Sequence, residues 1–222
     1  MTARRLGLLA ALLAGTLAHA QAPPSWPDTF NSRVQALALI QTLNAEILAS
    51  RSATATLERW CRDHALAANP AIVAVRMTGA DKTPTAEQRQ RLQVNERDAV
   101  KYRRVRLRCG DHVLSEADNW YVPGRLTAEM NRLLETTETP FGRAVQALEP
   151  YRQTFATRML WAPLPPGWEM PSGERPAPTG RALAIPDELF EHRAILYTRD
   201  HVPFSEVAET YQRHILAFPP PR

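Results

Sequence analysis

The stretch from Tyr102 to Pro123, YRRVRLRCGDHVLSEADNWYVP, constrains the fold more than any other part of the chain. Val105, Leu107 and Cys109 alternate there with Arg104, Arg106 and Arg108. A period of two marks a strand with one face on a core and the other turned away from it. Gly110-Asp111 supplies turn chemistry, and a second extended run continues through Trp120, Tyr121 and Val122 to Pro123. The pattern returns 89 positions later, in Arg193 to Tyr211, RAILYTRDHVPFSEVAETY. The echo of DHVLSEA in DHVPFSEV fits two similar hairpins paired around one site; a chance match over so few positions is the alternative.

Residues 1–20 read as a leader rather than as part of the fold. Arg4-Arg5 precede the apolar run Leu6 to Leu17, and Ala18-His19-Ala20 fits the small-x-small rule for signal peptidase. The run is shorter than the roughly 18–20 residues a membrane span needs. The expectation is therefore cleavage after Ala20, a periplasmic or secreted protein, no membrane span, and one domain over 21–222 with a full-sized core.

Charge excludes more than it assigns. Without Arg4 and Arg5, 27 basic residues become 25 against 23 acidic ones. No basic block with interleaved aromatics is present, so nucleic-acid binding is not expected. Only Lys82 and Lys101 are lysines; the rest of the positive charge is guanidinium, which suits forked recognition of carboxylates. Arginine-favouring codon usage explains the same bias.

The two cysteines, Cys61 and Cys109, either form a disulfide tying the second helix to the central strand or stay as buried free thiols. His64, His112, His192, His201 and His214 lack metal-type spacing, so no metal and no cofactor are expected. There is no Gly-rich phosphate loop and no nucleophile elbow. The histidines of the two hairpin turns, His112 and His201, read as solvent-facing.

Around the hairpins, helical spacing over Thr29 to Ser50 and from Thr54 or Thr56 to Ala68 predicts two helices, with Asn69-Pro70 ending the second. Ala71 to Met77 reads as a strand. Thr78 to Ala99 reads as a loop with a helical turn around Ala86 to Leu92. A short helix over Thr127 to Thr136, a turn at Thr139 to Arg143, a helix over Ala144 to Leu148 and a strand over Gln153 to Trp161 follow. Residues 163–186 hold seven prolines and three glycines and read as a surface loop or partner-binding flap. The end, 217–222, reads as a tail. The chain is expected to be a monomer.

This order of elements, with Thr139-Pro140-Phe141-Gly142-Arg143 as its best local match, resembles chorismate lyase over about residues 54–212. That enzyme removes pyruvate from chorismate to leave 4-hydroxybenzoate, and its fold also serves as the effector-binding domain of some bacterial transcription regulators. The resemblance implies an α+β single domain, an antiparallel sheet flanked by helices. It implies a ligand held by a strand arginine, a strand glutamate and the backbone of the apolar turn residue, which here is Phe141. A helix residue lining the pocket falls near Ala55. The glutamate matches Glu206, which by parity shares a strand face with Val202 and Phe204. Ungapped alignment from Pro123 selects Arg104 as the arginine. Parity selects Arg103, on the face of Val105 and Leu107, and is preferred because a slip of one residue changes every face. Arg103 and Glu206 are thus the expected catalytic pair, in a lyase or in a non-catalytic protein that binds a small carboxylate. Asp118-Asn119, where the family has Gly-Arg, motivates the second form.

Overall fold

The computed structural model describes residues 25–221, so the leader-like segment and its cleavage site lie outside the described residues. Two helices come first, α1 (Phe30–Ala49) and α2 (Ala53–Asp63). Thr29 and Ser52 cap them, each accepting a backbone N–H of the first turn through its side chain. Six strands then form one antiparallel sheet: β1 (Ile72–Arg76), β2 (Lys101–Cys109), β3 (His112–Tyr121), β4 (Tyr151–Met159), β5 (Glu188–Tyr197) and β6 (Pro203–Gln212). Their order is β1-β2-β3-β6-β5-β4. The molecule is a single α+β domain, as expected.

The two echoing hairpins, β2–β3 and β5–β6, meet through β3 and β6 at the centre of the sheet. Each carries a bulge one residue before its Ser-Glu pair. Leu107 pairs with Ser115 while Arg108 pairs with Val113, leaving Leu114 as the extra residue. Leu196 pairs with Ser205 while Tyr197 pairs with Pro203, leaving Phe204 as the extra residue. A bulge adds one residue to one strand, so the alternation of faces inverts across it. Leu114 and Ser115 both turn inward, as do Phe204 and Ser205.

The main core fills the space between one face of the sheet, here called inner, and the helices. α1 contributes Ala36, Ile40, Leu43 and Ile47, a single stripe at helical spacing. α2 adds Leu57, Trp60 and Cys61. Two shorter helices, α4 (Ala128–Thr136) and α5 (Phe141–Ala144), contribute Leu134, Phe141 and Ala144. On the other face a smaller core gathers Leu92, Trp120 and Val122 under the 78–100 segment. That segment holds α3 (Ala86–Arg91), whose Thr85 and Gln88 form a capping box.

Four details differ from the sequence expectations. α2 stops at Asp63 rather than running to Ala68, because Leu66 folds back into the core. Its N–H reaches the Cys61 carbonyl and that of Ala65 reaches Arg62, with Ala65 in the left-handed region (φ 51°). The Pro-rich loop is stitched down at its end: Asp28 donates to the Arg181 carbonyl at 2.8 Å and Leu183 to the Trp26 carbonyl at 2.7 Å. The expected tail packs where it begins, since Phe218 meets Trp26 edge-on and stacks on His64. His112 is half-buried and stands beside His214, with ring centroids 5.5 Å apart.

Candidate functional site

The cross-strand register lays out the inner face row by row. Arg103 lies opposite Asn119, and Asn119 opposite Val207. Val105, Ala117 and Glu209 form the next row, then Leu107, Ser115 and Tyr211. Arg103 is 2% exposed, whereas Arg104 turns to the other face. Parity therefore chose the inward arginine correctly. It failed for the glutamate. The bulge at Phe204 inverts the alternation, so Glu206 points to the outer face and the glutamate on the face of Arg103 is Glu209.

Arg103 and Glu206 do not meet. On the outer face Arg91 holds the buried Glu206 carboxylate by a forked pair of 2.8 and 2.9 Å, and the Gln88 amide adds a 3.3 Å bond. Arg104 shares that face with Glu206 but is engaged elsewhere, donating to Glu116 at 2.9 Å with Asp118 at 3.8 Å.

On the inner face the Arg103 guanidinium donates from Nη2 to the Thr139 carbonyl at 3.0 Å. Its Nε and Nη1 are buried and have no hydrogen-bond partner among the described residues. Loss of hydration lowers its pKa to about 10, and the nearby Arg76 cation adds to the effect. Tyr121 is the diagonal neighbour of Arg103 on β3 and begins a row of rings: Tyr121 meets Phe141 edge-on at 5.7 Å, and Phe141 stacks on Phe204 at 6.3 Å.

A buried polar network lies further along the same face. Arg152 Nη2 is 2.7 Å from Glu209 Oε2, and the Tyr211 hydroxyl donates to the same oxygen at 3.0 Å. His192 Nε2 is 2.7 Å from Asn44 Oδ1, and burial, reinforced by the Arg152 cation, lowers its pKa to about 4. Its imidazole is therefore neutral near pH 7. Sequence reasoning missed Asn119, Arg152, His192 and Glu209, because nothing local marks a charged strand residue as buried.

Between this face and the helices is a small cavity of about 50 Å³, lined by Val105, Asn119, Phe141, Arg152, Val207 and Glu209. It adjoins a wider recess of about 450 Å³ walled by Arg51, Ala55, Glu58, Arg143 and Gln146. Ser52, Thr54 and Gly142 border both. The join is tight at Gly142: a Cβ there would stand 3.2 Å from Ser52 Oγ, closer than an ordinary contact. Phe141 thus lines the inner cavity and Ala55 only the outer recess. Cys61 and Cys109 are joined, fastening α2 to β2 behind the cavity, with Cα atoms 6.3 Å apart. No helix among the described residues is long and apolar enough to cross a membrane.

No family model matches the sequence. A curated relative does: the uncharacterized protein y4mC of Sinorhizobium fredii is 51% identical over 197 residues, 88% of this chain and 83% of that protein. The chain belongs to the y4mC family. Among solved structures, it is similar to the effector domain of PhnF from Mycobacterium smegmatis, with 12% identity and a TM-score of 0.41 over 64% of this chain and 82% of that one. The ligand-binding domain of a GntR-family regulator from Bordetella bronchiseptica gives 17% and 0.39 over 63% and 82%. A possible transcriptional regulator from Bacillus subtilis, YydK, gives 13% and 0.37; the 63% of this chain that matches spans 58% of YydK. Effector domains of this kind are the fold group that the sequence resemblance named. At such scores the likeness concerns part of the chain path and carries no ligand with it.

Proposed function

We propose that the protein binds a small carboxylate-bearing cyclic or aromatic acid on the inner face of its sheet, with Arg103 as the partner of the carboxylate. One observation carries this reading: Arg103 is a buried guanidinium with two unpartnered nitrogens and no acidic neighbour within ion-pair distance among the described residues. A buried cation is costly unless an anion compensates it. The forked donor geometry of arginine fits a carboxylate, and Tyr121 and Phe141 offer ring faces for an apolar body.

Elimination of pyruvate from chorismate is the finer form of this reading, and the site favours binding without it. Glu209 is the carboxylate on the face of Arg103, and Arg152 and Tyr211 both occupy its Oε2. Both donors hold that carboxylate within the protein's own network, and neither contact turns it towards Arg103. Export is part of the proposal. The Cys61–Cys109 bond supports it, because disulfides persist in oxidising compartments.

Calorimetric titration of residues 21–222 with 4-hydroxybenzoate tests the binding, and pyruvate release from chorismate tests turnover. Saturable binding that Arg103→Gln weakens by about 2–5 kcal/mol is expected. A folded protein that binds no aromatic acid overturns the reading. Pyruvate release above the spontaneous rate would restore the lyase.

A further inference from the structure

Lys101 and Arg103 share the inner face at the start of β2, and two neighbouring strands add to this group. Arg76, the last residue of β1, lies opposite Val105 and so is the diagonal neighbour of Arg103 on one side. Tyr121 lies opposite Lys101 and is its diagonal neighbour on the other. Arg76, Lys101 and Tyr121 line one open cavity of about 410 Å³ at this end of the sheet, bordered by Glu135 of α4 and by the loop Asp81 to Pro84. Arg103, the diagonal neighbour of both Arg76 and Tyr121, is buried and does not itself line this cavity.

The charges there are only partly paired, and the wall includes the carboxylates of Asp81 and Glu135. Lys101 pairs with Glu135, and Lys82, also on the cavity wall, pairs with Asp118. The two guanidinium groups have only carbonyls: Arg76 donates to Glu135 O at 2.7 Å and Arg103 to Thr139 O at 3.0 Å. No carboxylate among the described residues comes within ion-pair distance of either. Two like charges on adjacent strands of one face, neither with a counter-ion, repel each other. An anion seated between them removes that cost. The cavity is of a size for a one-ring molecule, and Tyr102, Tyr121, Val100 and Pro84 give it apolar walls.

We propose that Arg76 is a second ligand-binding arginine, and that a one-ring aromatic acid enters through this cavity and places its carboxylate between Arg76 and Arg103. The ring lies against Tyr121, which separates the cavity from the interior. This rests on the reading of Arg103 as the carboxylate partner, and it makes the recess beside Arg51 a mouth the ligand does not use.

The test is equilibrium binding of benzoate to residues 21–222 as wild type, Arg103→Gln, Arg76→Gln and Arg51→Gln, each checked for a single cooperative melting transition. Arg76 is exposed, so its variant folds. Arg76→Gln should bind benzoate about tenfold more weakly and Arg51→Gln within about twofold of wild type. Phenol, which lacks the carboxylate, should not compete. A wild type that binds no benzoate overturns the Arg103 reading together with this one. Binding lost in Arg103→Gln but unchanged in Arg76→Gln overturns this inference alone. Loss in Arg51→Gln with Arg76→Gln silent moves the entrance to the other recess and also overturns it. Inorganic phosphate displacing benzoate at equal concentration would overturn the aromatic-acid assignment.

Discussion

Arg152 and Glu209 form an ion pair 2.7 Å apart inside the protein, their side chains 4% and 7% exposed. The Tyr211 hydroxyl completes it. Removing one partner of such a pair leaves the other charge buried and unmatched. Glu209→Ala should lower the unfolding free energy by about 3–5 kcal/mol, whereas Arg152→Met with Glu209→Leu should recover most of that loss. Urea denaturation of the three proteins measures both. A loss below about 1 kcal/mol for Glu209→Ala would mean that water reaches the pair.

Arg103 makes the opposite prediction. Its charge is buried without an acidic partner, so the folded protein carries a cost that an apolar side chain of similar length would remove. Arg103→Met should raise stability by about 1–3 kcal/mol while abolishing binding of aromatic acids. Denaturation and titration calorimetry on the same sample test the two halves together. A destabilised Arg103→Met would show that the guanidinium is fully satisfied in solution.

His192 gives a pH dependence. Its folded pKa, about 4, lies below the ordinary value of 6.5, so the unfolded chain takes up the proton more readily than the folded one. The stability is therefore complete above pH 6.5 and is lost as the pH falls from there towards 4. The shift corresponds to about 3 kcal/mol. A melting-temperature profile should fall over that window in the wild type and flatten in His192→Gln. Equal slopes for the two proteins would assign the acid sensitivity to other groups.

The Cys61–Cys109 bond closes a loop with 48 residues of separation. Replacing both cysteines by alanine should cost about 3–4 kcal/mol, chiefly by freeing the unfolded chain. Both positions are fully buried, so dithiothreitol should act on the folded wild type only at its unfolding rate. Rapid loss of the bond in the folded state, followed by mass spectrometry, would show that α2 opens locally.

Much of the sheet was legible because alternation is a local signal. From Lys101 to Leu107 nothing interrupts the period of two, and Arg103 and Arg104 fell on the faces that parity gave them. Glu206 was misplaced because one extra residue, Phe204, resets the count, and a bulge has no fixed sequence mark. A usable signal did exist in the echo. Glu116 follows Leu114 and Ser115 as Glu206 follows Phe204 and Ser205, and Glu116 lies opposite Arg106, an outward residue of a well-read strand. Carrying that outward face across the echo would have turned Glu206 the right way. The network of Asn119, Arg152, His192 and Glu209 was not legible at all. Whether a charged strand residue is buried depends on which helix covers it, and that is decided by packing over long separations.

The Trp26 indole donates to the carbonyls of Leu216 and Phe218, at 3.1 and 2.9 Å, across 190 and 192 positions. A ribosome making this chain in order produces the tryptophan early and its acceptors some 190 residues later. Throughout that interval the segment leading into the first helix lacks these two bonds. Folding can therefore close its final clasp only after residue 218 has been made.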